Sequence, residues 1–454
     1  MFVTPTLALV ATLLPQSPDA PLATYKLLGK DAVITHTDVA LEMAFHLQRR
    51  DQGREAIVHL VDATLTRQAA TKAGLMPTEA EARAFWERLQ DQLRASGRRP
   101  EDIDTVRHSD EKTWLADIAV QMAQERVVRK ELGVRAEEQI SPELLKLWLQ
   151  EQKKQQRVVI DADQLPSGTV ARIGGSDLSL LDLGLLLLRI SKDEDRERFV
   201  RQVAYLDNIE ALTRAAGITV TPTDLDRAIQ QKRDDAANDP RYRGMTFDRL
   251  LDAQGLSVNA LREQRVFRAQ ILLDKLALQR FPDSTLREQL AQDRQLVLDR
   301  VGPKRHLAIV FARALEEPNA LVPDDFASAR KRLEAARERL AKEDFTNVAR
   351  IESDHGPSKL NGGDIGWHRA VSAAAPGEVL AAGFSTAVGE VSTPVRGEDG
   401  WYLVKVLEAE PVPDDNTLLR QWRAFRAQEF GKQLLDDAQV QMVGQPAAGA
   451  KDGK

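Results

Sequence analysis

His306-Leu307-Ala308-Ile309-Val310-Phe311-Ala312, then Gly362-Gly363-Asp364-Ile365-Gly366-Trp367, then Gly400-Trp401-Tyr402-Leu403-Val404-Lys405-Val406 decide how this chain is read. The first run is apolar, of strand length, and contains the β-branched pair Ile309 and Val310. Between it and the hexad lies a helical stretch from Asp324. Phe326, Ala329, Leu333, Ala336 and Leu340 fall on one side of that helix. Asp344-Phe345 ends it, a short helical turn passes through Val348-Ala349, and a polar loop over residues 352–361 follows. The glycines of the hexad mark a tight turn. Residues 391–396 and 401–407 are strand-like again. Strand, helix, loop and strands over about 105 residues predict a small α+β domain.

Upstream, helical patterning dominates from about residue 35 to 301. Residues 80–96, 109–132, 144–155, 191–215 and 223–235 read as amphipathic helices, with breakers at 97–100, 166–168 and 174–175. Landmarks recur in the same order about 145 residues apart, the mark of a duplicated module. Gly29-Lys30-Asp31 is echoed by Gly175-Ser176-Asp177, and Ala73-Gly74-Leu75 by Ala216-Gly217-Ile218. Residues 127–132 are echoed by residues 271–276. Thr78 and Thr223, each followed by an acid, are expected to cap helices. Downstream, residues 417–442 form one more amphipathic segment. Its Trp422, Phe425 and Phe430 are expected to dock the closing helix onto the helical domain.

The expected organisation is a leader at 1–23, helical modules at 24–155 and 156–302, the α+β domain at 303–410, a helix at 411–443, and a disordered tail at 444–454. The leader rests on the apolar run Leu7 to Leu14 followed by Ala20 and Ala23, although no Lys or Arg precedes Lys26. Eight apolar residues are too few to cross a bilayer, and residues 178–190 are too short and interrupted by Asp182.

Composition narrows the function. With 454 residues and a net charge of −6, the chain lacks the basic excess of a nucleic-acid binder. No cysteine is present, which excludes disulfides, thiolate nucleophiles and Cys-based metal sites.

In order and spacing, the segments from His306 to Glu408 resemble the parvulin-type (PpiC) peptidyl-prolyl isomerase domain. The strand led by His306, Asp344-Phe345 with Val348-Ala349 and Ser353, and the Gly-Gly-Asp-Ile-Gly-Trp hexad match in turn. Phe384, Gly389-Glu390-Val391-Ser392, Pro394-Val395 and the final strand complete the set. The resemblance implies a four-stranded antiparallel sheet flanked by helices, and no metal or cofactor. Helical material on both sides resembles the SurA/PrsA group of exported folding factors, which implies a periplasmic or envelope location. It also implies unfolded or proline-containing polypeptide clients, no nucleic-acid partner and no stable membrane insertion. The oligomeric state is not legible.

Residue by residue, the resemblance assigns His306 to the family's first-strand His and His355 to a position usually held by Cys or Asp. It assigns Asp399 near a usual Ser or Thr, and Ile365 to the pocket floor beside Trp367. Two departures stand out. Tyr402 replaces the second His, which packs near the first, so a Tyr402–His306 hydrogen bond is expected in its place. Counting back from Phe384 puts Ala375 and Val379 where the proline pocket usually has Met and Phe. That loss removes on the order of 50–100 Å² of apolar contact per ring, or a few kcal/mol at about 25 cal/mol per Å². The alternative function is a catalytically inactive parvulin fold acting only as a chaperone or interaction scaffold.

Each assignment has a plainer counterpart. His306 could cap a sheet, and His355 beside Gly356-Pro357 could be a turn residue. The spacing of His306, His355 and His368 fits no compact metal motif. Gly362-Gly363 lacks the Gly-Lys-Ser/Thr element of a phosphate loop. Glu316 and Glu317 stand in the loop where phospho-directed relatives carry basic residues, so phosphoserine-proline is not the expected ligand.

Overall fold

The structure, a computed structural model, describes residues 19–443 except 101–102, 104–107, 136, 162–163, 240–241 and 243. In chain order the first elements are β1 (Pro21–Leu27), β2 (Lys30–Thr35), α1 (His36–Leu47), α2 (Asp51–Ala73), α3 (Glu79–Ala95), α4 (Glu111–Leu132) and α5 (Pro142–Gln155). Next come β3 (Thr169–Ile173), β4 (Ser176–Ser179), α6 (Leu180–Ile190), α7 (Asp193–Ala215), α8 (Pro222–Asn238), α9 (Phe247–Ala253), α10 (Val258–Glu263) and α11 (Arg265–Arg280). Then follow α12 (Asp283–Gln292), α13 (Arg294–Val301), β5 (Arg305–Arg313), α14 (Phe326–Arg339), α15 (Phe345–Glu352), α16 (Gly356–Lys359) and β6 (Asp364–His368). The chain closes with α17 (Gly377–Ser385), β7 (Val395–Arg396), β8 (Gly400–Ala409), α18 (Asp415–Asp437) and β9 (Gln441–Met442). There are two compact units, Met1–Leu273 with Gly431–Lys454, and Asp274–Phe430.

The first unit contains two short hairpins, which helical patterning did not reveal. Leu28 and Gly29, both at positive φ, turn β1 into β2; Gly174 and Gly175 turn β3 into β4. Each hairpin runs directly into a capped helix. Thr35 and Asp38 cap α1 reciprocally, and Ser179 and Asp182 do the same for α6. The two helices pack backbone to backbone: a Cβ on Gly184 would lie 2.0 Å from the Ala40 carbonyl oxygen. Val39, Met43, Leu183 and Leu187 close this core. Two 23-residue helices follow in matching places, α2 and α7. Glycines at positive φ, Gly74 and Gly217, end the pair. Thr78 caps α3 as expected. The cap of α8 is Thr221, not Thr223: Pro222 occupies the first helical position, which displaces the cap two residues upstream.

Residues 1–18 of the expected leader, like the expected tail at 444–454, lie outside the described residues, and residues 21–23 belong to β1. Leu22 and Ala23 of β1 are buried, and Ala23 pairs with Met442 of β9.

The second unit holds the expected four-stranded antiparallel sheet, in the order β6-β5-β8-β7. Its two faces bury different sets. Ala308, Val310 and Ala312 pack with Leu333, Phe345 and Val348 of α14 and α15. Leu307, Ile309 and Phe311 pack with Val379 and Leu380 of α17. The hexad turn comes close to β5. Ile309 N–H donates to Gly363 O at 2.8 Å, and a Cβ on Gly363, at φ +86°, would stand 2.3 Å from the Ile309 oxygen. Within this unit, Trp422 Nε1–H of α18 donates to Gln289 Oε1 of α12 at 2.9 Å, and Arg280 lies over the Phe430 ring.

Candidate functional site

Strand alternation puts Phe311, Ile309 and Leu307 of β5 and Tyr402, Val404 and Val406 of β8 on the α17 face. Val379 closes over them from α17, with Ile365 and Ala375 partly buried against the cluster. Of the residues predicted from sequence, Tyr402, Ile365, Val379 and Ala375 therefore share one apolar cluster. Tyr402 is 6% exposed, and its ring stacks on Phe311 with centroids 4.6 Å apart. Among the described residues its hydroxyl has no hydrogen-bond partner. Burial raises the phenol's pKa above 10.0; the nearby carboxylates of Asp399 and Glu378 add to this, and Arg313 opposes it.

His355 starts the short turn α16, with Nδ1 2.7 Å from Ser358 Oγ. Burial lowers its pKa below 6.5. Its neighbour Asp354 ties the turn to the strand: Asp354 N–H donates to Phe311 O at 2.7 Å, and its carboxylate accepts from Arg313 N–H at 3.0 Å and from Arg332.

His306 is elsewhere. Its Nε2 lies 2.8 Å from Asp364 Oδ1, and its ring stacks on Trp367 at 5.2 Å. Across the ladders it faces Trp367 and Glu408, whereas Tyr402 faces Phe311. Five residues of strand, roughly 16 Å, separate the two β5 positions. The expected Tyr402–His306 bond is absent, and the first-strand position packed against Tyr402 is held by Phe311. A phenyl–phenol stack thus stands where the resemblance implies two imidazoles. Phe384 also lies toward the His306 end: Arg305 covers its ring at 5.3 Å and donates to the Gly383 and Thr386 carbonyls. Trp367, 42% exposed, flanks that end.

Phe311, Asp364 and Glu378 are the residues that sequence reading passed over. Asp364 sits within the hexad and was legible; the role of Phe311 depends on ladder register. His368 Nε2 lies 2.8 Å from Ile365 O. Among the described residues, no three His, Asp or Glu side chains converge as metal ligands.

Sheet order, the apolar cluster and the glycine hexad are those of a parvulin-type domain. Residues 315–408 match the Rotamase model, the PPIC-type PPIASE domain. The match begins downstream of both His306 and Phe311. The chain is 26% identical over 227 residues to the Chaperone SurA of Chromohalobacter salexigens, covering 48% of each. It is 37% identical over 93 residues to the Chaperone SurA of Nitrosococcus oceani, covering 19% of this chain and 20% of that one. The chain thus spans about half the length of the first of these relatives and less of the second. Among solved structures, the peptidylprolyl isomerase PrsA of Bacillus anthracis aligns at 16% identity, with a TM-score of 0.26, over 54% of this chain and 94% of that one.

Proposed function

We propose that this protein is an exported folding factor that rotates X–Pro bonds in the hollow beneath Tyr402 while its helical unit holds unfolded polypeptide. The carrying observation is the Tyr402 hydroxyl, without a hydrogen-bond partner among the described residues, on a ring packed into the apolar cluster of a PPIC-type domain. X–Pro rotation faces a barrier of about 18–20 kcal/mol set by amide resonance. The twisted amide is less polar than the planar one, so a dry hollow lowers the cost of reaching it. The proline ring is received by Ile365, Val379 and Ala375, and the Tyr402 hydroxyl is free to donate to the carbonyl preceding proline. With Ala375 and Val379 in place of larger groups, proline is held weakly. The reaction calls for no metal or cofactor.

The helical unit offers a cavity of about 690 Å³ lined by Leu206, Val266, Ala269 and Leu435 with charged residues at its rim. Such a surface suits extended apolar segments of unfolded chains. Two hairpin-led stretches, β1–β2–α1–α2 and β3–β4–α6–α7, recur within this unit. The SurA resemblance and the apolar N-terminal run support export. A cut at Ala20 leaves β1 whole, whereas a cut after Ala23 removes two of its buried residues. No helix among the described residues is long and apolar enough to cross a membrane.

The phenyl–phenol stack favours a second reading, in which the fold binds proline segments without turning them. A protease-coupled prolyl-peptide assay on the full chain, run beside suppression of client aggregation, separates the two. Acceleration supports the isomerase reading; retained suppression without acceleration supports the binding module.

A further inference from the structure

The surroundings of the Tyr402 hydroxyl carry more charge than a plain proline pocket needs. Gly397, in the turn between β7 and β8, lies against the Tyr402 ring, with a Cβ position 2.6 Å from Cε2. That turn also carries the exposed Glu398 and Asp399. From α17, Glu378 precedes Val379, which packs in the same hollow. The carboxylates of Asp399 and Glu378 both act on the phenol, against the single guanidinium of Arg313. Among the described residues neither carboxylate forms an ion pair or accepts a hydrogen bond, whereas Glu316 is taken up by Arg396 at 2.9 Å. Two free carboxylates against one cation leave the rim net negative. Tyr402 is 6% exposed as a residue, and its hydroxyl, without a partner among the described residues, marks where a ligand carbonyl can sit.

The carbonyl of an X–Pro bond belongs to residue X. If Tyr402 donates to that oxygen, the side chain of X starts one bond from the same carbon and extends into this rim. A long cationic side chain there meets Asp399 and Glu378; an acidic one is repelled. We propose that the rim selects polypeptide segments with Lys or Arg immediately before proline. This rests on the isomerase reading for the placement of proline, and on the rim geometry for the preference.

The test uses the full chain with three otherwise identical tetrapeptides carrying Lys-Pro, Ala-Pro and Glu-Pro. At low ionic strength kcat/KM for Lys-Pro is expected to exceed that for Glu-Pro roughly tenfold, shrinking to about twofold in 0.5 M salt. Glu378→Lys, checked for folding by circular dichroism, is expected to cut the low-salt ratio at least severalfold. Equal rates for all three peptides at low salt, or an unchanged ratio in folded Glu378→Lys, overturn the preference and leave the isomerase reading standing. If no peptide is isomerised, the isomerase reading fails and the affinities of fluorescently labelled versions decide the rim. Tighter Lys-Pro than Glu-Pro binding then upholds the preference, and equal affinities overturn it.

Discussion

Gly363→Ala tests the contact that positions the hexad beneath β5. Gly363 has φ +86°, a region that costs an L-residue roughly 1–2 kcal/mol. Its new methyl would also stand 2.3 Å from the Ile309 oxygen and 3.1 Å from Ala349 Cβ, so strand and turn must part. Overpacking of this kind adds about 1–3 kcal/mol, for a total of about 2–5 kcal/mol. Gly366→Ala is the internal control: its φ is also +86°, but nothing lies within 4 Å of the added carbon. Only the conformational cost applies there. The assay is amide hydrogen exchange in peptides spanning β5, where Ile309 N–H donates to Gly363 O. The steric difference between the variants corresponds to about 5- to 150-fold faster exchange in Gly363→Ala than in Gly366→Ala. Equal exchange in both would refute the close approach as the reason for glycine at Gly363.

Tyr402→Phe removes a hydroxyl with no protein partner, so stability should stay within about 0.5 kcal/mol while kcat/KM falls roughly tenfold; a thermal melt beside the peptide assay reads both. Burial and neighbouring carboxylates hold the phenol neutral past its ordinary 10.0, and His355 is neutral above its ordinary 6.5. The wild-type profile of kcat/KM should therefore be flat from about pH 7 to pH 9, and a titration inside that window would count against Tyr402 as the donor. His306→Ala loses the Asp364 bond and the Trp367 stack, costing about 1–3 kcal/mol, yet turnover should stay within about threefold. A kcat collapse in the folded variant would return that imidazole to the chemistry. Asp117→Ala leaves buried Arg189 without its carboxylate and should destabilise the first unit by about 3–5 kcal/mol, read as a lower Tm.

What was legible in the sequence was mostly local. Strand β5 and helix α14 followed from apolar periodicity, and the cap of α3 from Thr78. Helices α3 and α4 were placed within two residues of their ends for the same reason. The hairpins β1–β2 and β3–β4 were not read as strands. They are short, and their glycine turns looked like the breaks between helices. The run at 391–396 shrank to the two-residue β7 with an isolated bridge from Val391 to Lys405, because Pro394 cannot donate to a ladder. The site was half legible. Ile365, Val379, Ala375, Tyr402 and His306 were all placed by motif order and spacing, which locate a residue along its strand but not its partner across the sheet. Which β5 residue meets Tyr402 depends on the ladder between two strands nearly a hundred residues apart, and that register places Phe311 there.

The pairing of β9 with β1 bears on how the protein is made. Synthesis runs from the N-terminus, so the edge of β1 that accepts residues 441–442 stays bare until residues 274–430 have been translated. Ala438, buried in the core of the first unit, arrives equally late. A ribosome-bound chain therefore carries an unfinished helical body with an open sheet edge, exposed to wrong pairings. The inserted second unit can reach its own fold first. A protein proposed to hold unfolded chains spends its own synthesis in need of the same protection.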